Sequence, residues 1–387
     1  MPHIETNAIH EGIEIDNTFN SVTTPIYTSS TFTLTDLGKT KAGFNYTRSG
    51  NPTRKALEDN LALLENGKMA AATSSGMSAI MAVLSLLSAG DHLIAPLDIY
   101  GGTYRLFSLI APKFGIEVSF LQNPNDLAEL KAELKPNTKM LWIESPSNPL
   151  LKLTDIKAVC NESKSEKNDL IIVADNTFMS PYFQNPLDLG CDIIIHSTTK
   201  YINGHSDLVG GIVICKTEEL GEKIAQIVNC MGLAESPFDA WLALRGVKTL
   251  SIRMQAHEKN ALQVCEFLNN HEAVQKVYYP GLSSPEQFEL AKQQMRGFGG
   301  MLSFELKPEK YDINVFFSKL KYFKLAVSLG GVESLIAQPW SMSHASMNEE
   351  ARLKAGITPN LIRLSVGIEN VDDLIADLDS AFQNCCC

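Results

Sequence analysis

Lys200 stands where a lysine is hard to explain. It follows CDIIIH (Cys191–His196), whose isoleucines read as a strand buried on both faces, and then Ser197, Thr198 and Thr199. An amine aimed from the end of a buried strand is a nucleophile toward carbonyl carbon and, when neutral, a base. Three other apolar runs also end in polar groups. LIIVAD leaves Asp175 at its end, where a carboxylate must pair with a cation or cap a turn. ATSSGMSAI turns through Gly76 into a helical pattern, whose first N–H groups and dipole suit a phosphate. LWIESPSNP presents Asn148 just before a proline. Each feature has a plain structural reading as well: a strand-to-helix turn, a cap, a turn residue, a solvated lysine. Taken together they are the set that pyridoxal phosphate requires. Lysine takes its aldehyde, a carboxylate keeps its pyridine nitrogen protonated, and amides and hydroxyls hold its phosphate.

Such a constellation needs a scaffold of strands ending on one side. HLIAPLD, VSFLQN, MLWIES, LIIVADN and DIIIHST read as strands. GMSAIMAVLSLLSAG, NDLAELKAELKPN and DIKAVCNESKSEKN between them repeat apolar residues at helical steps. Alternation of this kind predicts parallel βαβ units, with the site beyond the carboxyl ends of the strands. Residues 1–50, rich in Thr, Ser and aromatics, read as an extended arm. Residues 51–247 read as an α/β domain. Residues 248–387, with long helices and the isolated strands VQKVYYPG, GGMLSFEL and LIRLSVG, read as a smaller α+β domain.

Composition narrows the class. The 387 residues are 44% hydrophobic and 20% charged, as in an ordinary globular protein, and the net charge of −11 disfavours a nucleic-acid backbone as partner. No signal peptide or membrane-length apolar run is apparent, so a cytoplasmic protein without membrane or nucleic-acid partners is expected. The eight cysteines show no metal or redox spacing and read as small buried hydrophobes, apart from Cys385–Cys387, which read as a frayed tail. His196 and His205 read as structural hydrogen-bonding groups, and no metal site is expected. A nucleotide-dependent oxidoreductase could share the sheet, but no G-x-G-x-x-G opens a helix after the first strand. A catalytically dead relative would be expected to lose Lys200 or Asp175, and both are present.

The chain resembles the Cys/Met metabolism group of pyridoxal-phosphate enzymes, which comprises cystathionine γ-synthase, the cystathionine β- and γ-lyases and methionine γ-lyase. The motifs are YTRSGNPT, SSGM, YGGTY, ESPSNP, ADNTF, HSTTKYINGHSD, SLGGVESL and RLSVG, in order along the whole chain. The resemblance implies an aspartate-aminotransferase-like α/β fold (fold type I) with a mostly parallel sheet flanked by helices and a smaller C-terminal domain. It implies that Lys200 carries the cofactor and then moves the substrate α-proton. Asp175 pairs with the ring nitrogen, and Tyr100 stacks on the ring and assists proton transfer. Gly76, Met77, Ser197 and Thr199 hold the phosphate, and Asn148 lies near the phenolic oxygen. Arg363 receives the carboxylate of an amino-acid substrate, with Ser328 beside it. Tyr46 and Arg48 reach the phosphate site of a neighbouring subunit, so a homo-oligomer is expected: an active-site dimer, usually within a homotetramer.

The same resemblance bears on the reaction through two positions. Methionine γ-lyases carry a cysteine two residues after the stacking tyrosine, where this chain has Gly102. Cystathionine γ-lyases and γ-synthases commonly carry a glutamate before SLGG, where this chain has Val327. The expectation is a C–S lyase of transsulfuration and methionine biosynthesis, with cystathionine β-lyase favoured. Cystathionine γ-lyase and γ-synthase are the alternatives, ahead of methionine γ-lyase.

Overall fold

The computed structural model describes residues 2–13, 18–282 and 284–385. The described residues among the first fifty are mostly irregular and exposed but carry a helix, Ile4–His10, and a hairpin of β1 (Leu34–Asp36) with β2 (Lys39–Thr40). The helix departs from the arm read from the sequence. With Ala8 as its buried residue it shows too little periodicity to be seen, and packing fixes it. Asn60, on the helix Pro52–Leu64, donates its amide to Asn7 O and Glu11 O.

A seven-stranded sheet organises the larger part of the chain. It contains β3 (Met69–Thr73), β4 (His92–Pro96), β5 (Glu117–Leu121), β6 (Thr138–Glu144), β7 (Ile171–Asp175), β8 (Ile193–His196) and β9 (Gly211–Cys215). Their order is β3-β9-β8-β7-β6-β4-β5, and β9 runs antiparallel to both of its neighbours. The unbroken isoleucine run in β8 now has its cause. Ile194 faces a core with the helices Pro52–Leu64, Ile156–Glu166 and Pro237–Val247, while Ile193 and Ile195 face another with Gly76–Leu84 and Glu218–Met231. Strands covered on both faces have no polar side to show. The sheet is mostly parallel, as expected, with β9 as its antiparallel strand, and helices flank it on both faces.

The second sheet has five strands: β10 (Val274–Tyr278), β11 (Met301–Leu306), β12 (Lys324–Leu325), β13 (Leu335–Ala337) and β14 (Leu361–Ser365). They lie in the order β10-β11-β14-β13-β12. The helices Leu250–Asn269 and Val371–Gln383 cover the sheet over a core that includes Phe304, Phe316 and Phe382. Two expectations about cysteines are corrected here. Cys230 is exposed on its helix, and Cys385 is buried in this second core rather than frayed. Cys386 and Cys387 lie outside the described residues. Among the described residues, no helix is long and apolar enough to cross a membrane.

Candidate active site

The parallel strands end together, and their register sets the site. Glu144 closes β6 opposite Asp175, which closes β7 opposite Ile195 of β8. Beyond β8 the chain tightens into a turn in which Lys200 N donates to Ser197 O at 3.1 Å. On the far side of β9, β3 delivers the chain to the helix Gly76–Leu84. Ser75 caps it by accepting from Ser78 N at 3.0 Å. The first-turn N–H groups of Gly76 and Met77 have no acceptor within their own helix. Gly76 is required by proximity: a β-carbon there would lie 2.8 Å from Ser197 Cβ. From the second sheet, β14 brings in Arg363, and the segment before β13 brings in Val327 and Ser328.

These residues enclose a cavity of about 520 Å³. Gly76, Met77, Tyr100, Asn148, Asp175, Ser197, Thr199, Lys200, Val327, Ser328 and Arg363 all line it. Tyr46 and Arg48 do not. They sit in the exposed arm, where Arg48 donates to Asn229 O at 2.7 Å and its guanidinium lies 5.6 Å from the Tyr46 ring centroid. His196 bonds Glu65 Oε1 at 2.7 Å, and His205 bonds Asn203 O at 2.7 Å.

The cavity floor is electrostatically tense. Lys200 Nζ donates to Ser328 Oγ at 2.7 Å, and burial, then the nearby Arg363 charge, lowers its amine to about 8. Asp175 Oδ1 accepts from Thr177 N at 3.0 Å, yet burial raises its acid above the usual carboxylate range. Glu144 is raised well above that range, by burial first and by Asp175 next. Arg363 gives Nη1 to Asn148 Oδ1 at 2.9 Å and Nη2 to Ser328 O at 3.1 Å, and burial lowers it to about 10. Its Nε is buried with no hydrogen-bond partner.

Glu144, Thr177 and Arg105 are among the lining residues that escaped the sequence reading. Glu144 lay inside a motif without a role. Thr177 lay two residues past Asp175, and its hydroxyl accepts from Ser197 N at 3.0 Å. Arg105 adds an exposed cation at the cavity wall. The dipeptide ES and the motif ADNTF were visible signals for the first two. Arg105 follows YGGTY and announces nothing until the cavity is seen.

The family of Cys/Met metabolism PLP-dependent enzymes matches residues 5–383. The chain belongs to that family. Cystathionine γ-lyase of Dictyostelium discoideum is 48% identical over 382 residues, 99% of this chain and 98% of the relative. Cystathionine β-lyase of Lactococcus lactis is 49% identical over 383 residues, 99% of this chain and 100% of the relative. The crystal structure of cystathionine γ-synthase from Xanthomonas oryzae pv. oryzae in complex with cystathionine superposes with a TM-score of 0.94. It is 46% identical and aligns 99% of this chain with 98% of that one. The protein is therefore a pyridoxal-phosphate-dependent enzyme of the lyase and synthase group in cysteine and methionine metabolism.

The residues present fit that cofactor. Free helix-terminal N–H groups and the Ser197 and Thr199 hydroxyls offer a phosphate seat, and the missing side chain at Gly76 lets Ser197 close on it. A half-buried carboxylate at Asp175, which forms no ion pair with a Lys or Arg among the described residues, matches a protonated ring nitrogen. Gly102 completes the fit: a β-carbon there would run into the Tyr100 ring and lie 2.9 Å from Met77 Sδ. The glycine therefore leaves the Tyr100 ring the room it occupies.

Proposed function

We propose that this enzyme is a C–S lyase whose favoured reaction is β-elimination of L-cystathionine to homocysteine, pyruvate and ammonia. The observation that carries the reading is the distribution of charge in the cavity. Among the described lining residues the carboxylates are Glu144 and Asp175, both at strand ends, while Val327 beside Ser328 is apolar and 65% exposed. A distal ammonium meets no carboxylate of this chain at that position. Recognition then rests on the reacting half of the substrate, where β-elimination is decided.

When bound, the cofactor supplies the electron sink for charge left at Cα. In this reading Gly76, Met77, Ser197 and Thr199 hold its phosphate, Asp175 its ring nitrogen, and Tyr100 its face, with Asn148 beside the phenolic oxygen. Arg363 takes the substrate carboxylate, and its unpartnered Nε is the donor in waiting. Lys200, already low enough to share a proton near neutrality, moves the α-proton. Ser328 Oγ fixes where that amine points. Tyr46 and Arg48 serve the phosphate site of a second copy, a role supported by their place in an exposed arm away from their own cavity. The same reading divides the chain at residues 50 and 247, supported by two sheets with separate cores.

A γ-elimination or γ-replacement reading is favoured by the names of the γ-lyase and γ-synthase relatives, which are as similar as the β-lyases. Identifying the keto acid made from cystathionine separates them. Pyruvate is expected. 2-Oxobutyrate as the main product would overturn the β-lyase choice, and cystathionine formed from an acyl-homoserine and cysteine would mark a synthase. A Lys200→Ala variant is expected to lose both turnover and the visible band that borohydride abolishes.

A further inference from the structure

A chain of hydrogen bonds runs around the cavity, and Glu144 is its junction. Tyr100 N donates to Glu144 Oε1 at 3.2 Å and Oε2 at 3.1 Å, and Asn148 N donates to Oε1 at 3.0 Å. Asn148 Oδ1 in turn holds Arg363 Nη1 at 2.9 Å. Arg363 Nη2 reaches Ser328 O, and Ser328 Oγ receives Lys200 Nζ. Two turns from different strand ends, one carrying Tyr100 and the other Asn148, thus hang on one carboxyl that is 6% exposed.

We infer that Glu144 is a positioning residue, whose acceptor oxygen fixes Tyr100 against the cofactor ring and, through Asn148, aims the Arg363 guanidinium at the substrate carboxylate. The inference rests on the proposed roles of Tyr100 and Arg363. Oε1 already accepts from both N–H groups, so one oxygen suffices for the task. Burial and the neighbouring Asp175 favour the neutral acid, and a carboxamide keeps the acceptor at Oε1 while losing only the second Tyr100 contact, to Oε2. A methyl side chain leaves both N–H groups without an acceptor. An aspartate holds the oxygen one methylene short.

The test compares holoenzymes of Glu144→Gln, Glu144→Asp and Glu144→Ala with the wild type. Visible circular dichroism reports how firmly the bound cofactor is oriented, and kcat and KM are measured with L-cystathionine. Glu144→Gln is expected to keep the dichroic band and a near-normal KM. Glu144→Asp and Glu144→Ala should lose much of the band and raise KM by about 10-fold or more, with a smaller loss in kcat. If Glu144→Gln is as impaired as Glu144→Ala, charge rather than the acceptor matters and the inference falls. It also falls if Glu144→Asp leaves both the band and KM unchanged, a comparison that stands where Glu144→Ala does not fold. A wild type with no visible band would sink the cofactor-site reading itself, which keeps the two failures apart.

Discussion

Lys200 Nζ donates to the hydroxyl of Ser328 at 2.7 Å, joining two residues 128 positions apart in the chain. Ser328 holds a φ of 102°, a region that disfavours residues with a β-carbon, and Arg363 clamps its carbonyl. Strain of this kind persists only when surrounding contacts enforce it, here to aim one hydroxyl at one amine.

The amine should titrate early. In the cofactor-free protein, Lys200 falls from 10.5 to about 8 because burial, then Arg363, disfavours its charge. The folded state then binds fewer protons than the unfolded chain across that window, so this group adds stability as pH rises from about 8 toward 10.5. Melting temperatures of the apoprotein and of its Lys200→Met variant should converge as pH rises. Acylation of Lys200 should show an apparent midpoint near 8.

Arg363→Lys should raise KM for amino-acid substrates by about 10- to 100-fold while lowering kcat less, because a charge-assisted bond is worth ~1.5–3 kcal/mol. A lysine cannot reach Asn148 Oδ1, Ser328 O and a carboxylate from one planar fork. Steady-state kinetics would expose an error if kcat bore the whole loss.

Gly102→Ala should push the Tyr100 ring off its seat, since the new methyl group meets that ring and Met77 Sδ. We expect an altered visible spectrum and kcat/KM reduced by up to ~100-fold, with melting nearly unchanged. An unaltered spectrum would show that the ring has room elsewhere.

Val327→Glu should move product from pyruvate toward 2-oxobutyrate by placing a carboxylate where a distal ammonium can meet it. Val327 is exposed at the cavity wall, so the substitution has space. Quantifying the two keto acids from cystathionine decides it.

Much of the site was legible because its residues end strands. Asp175, Ser197 and Lys200 each follow a run apolar enough to be read as buried, and strand ends in such sheets converge. The hidden part depends on which strands become neighbours. Glu144 matters because β6 lies beside β7 in a register that sets it opposite Asp175, and no local pattern states that pairing. The antiparallel course of β9 was hidden for the same reason. Its apolar run, GIVIC, looks like any doubly covered strand. The separation between Asn148 and Arg363, 215 residues, is likewise a product of tertiary folding alone.

That last contact has a mechanical side. Asn148 comes after a strand of the larger sheet and Arg363 sits on the smaller one, so their 2.9 Å bond is a hasp across the seam between two separately filled cores. A ligand carboxylate gripped by the remaining guanidinium nitrogen would bolt the same seam a second time. On the role proposed for Arg363, ligand binding and the closure of that seam would then be coupled through one guanidinium.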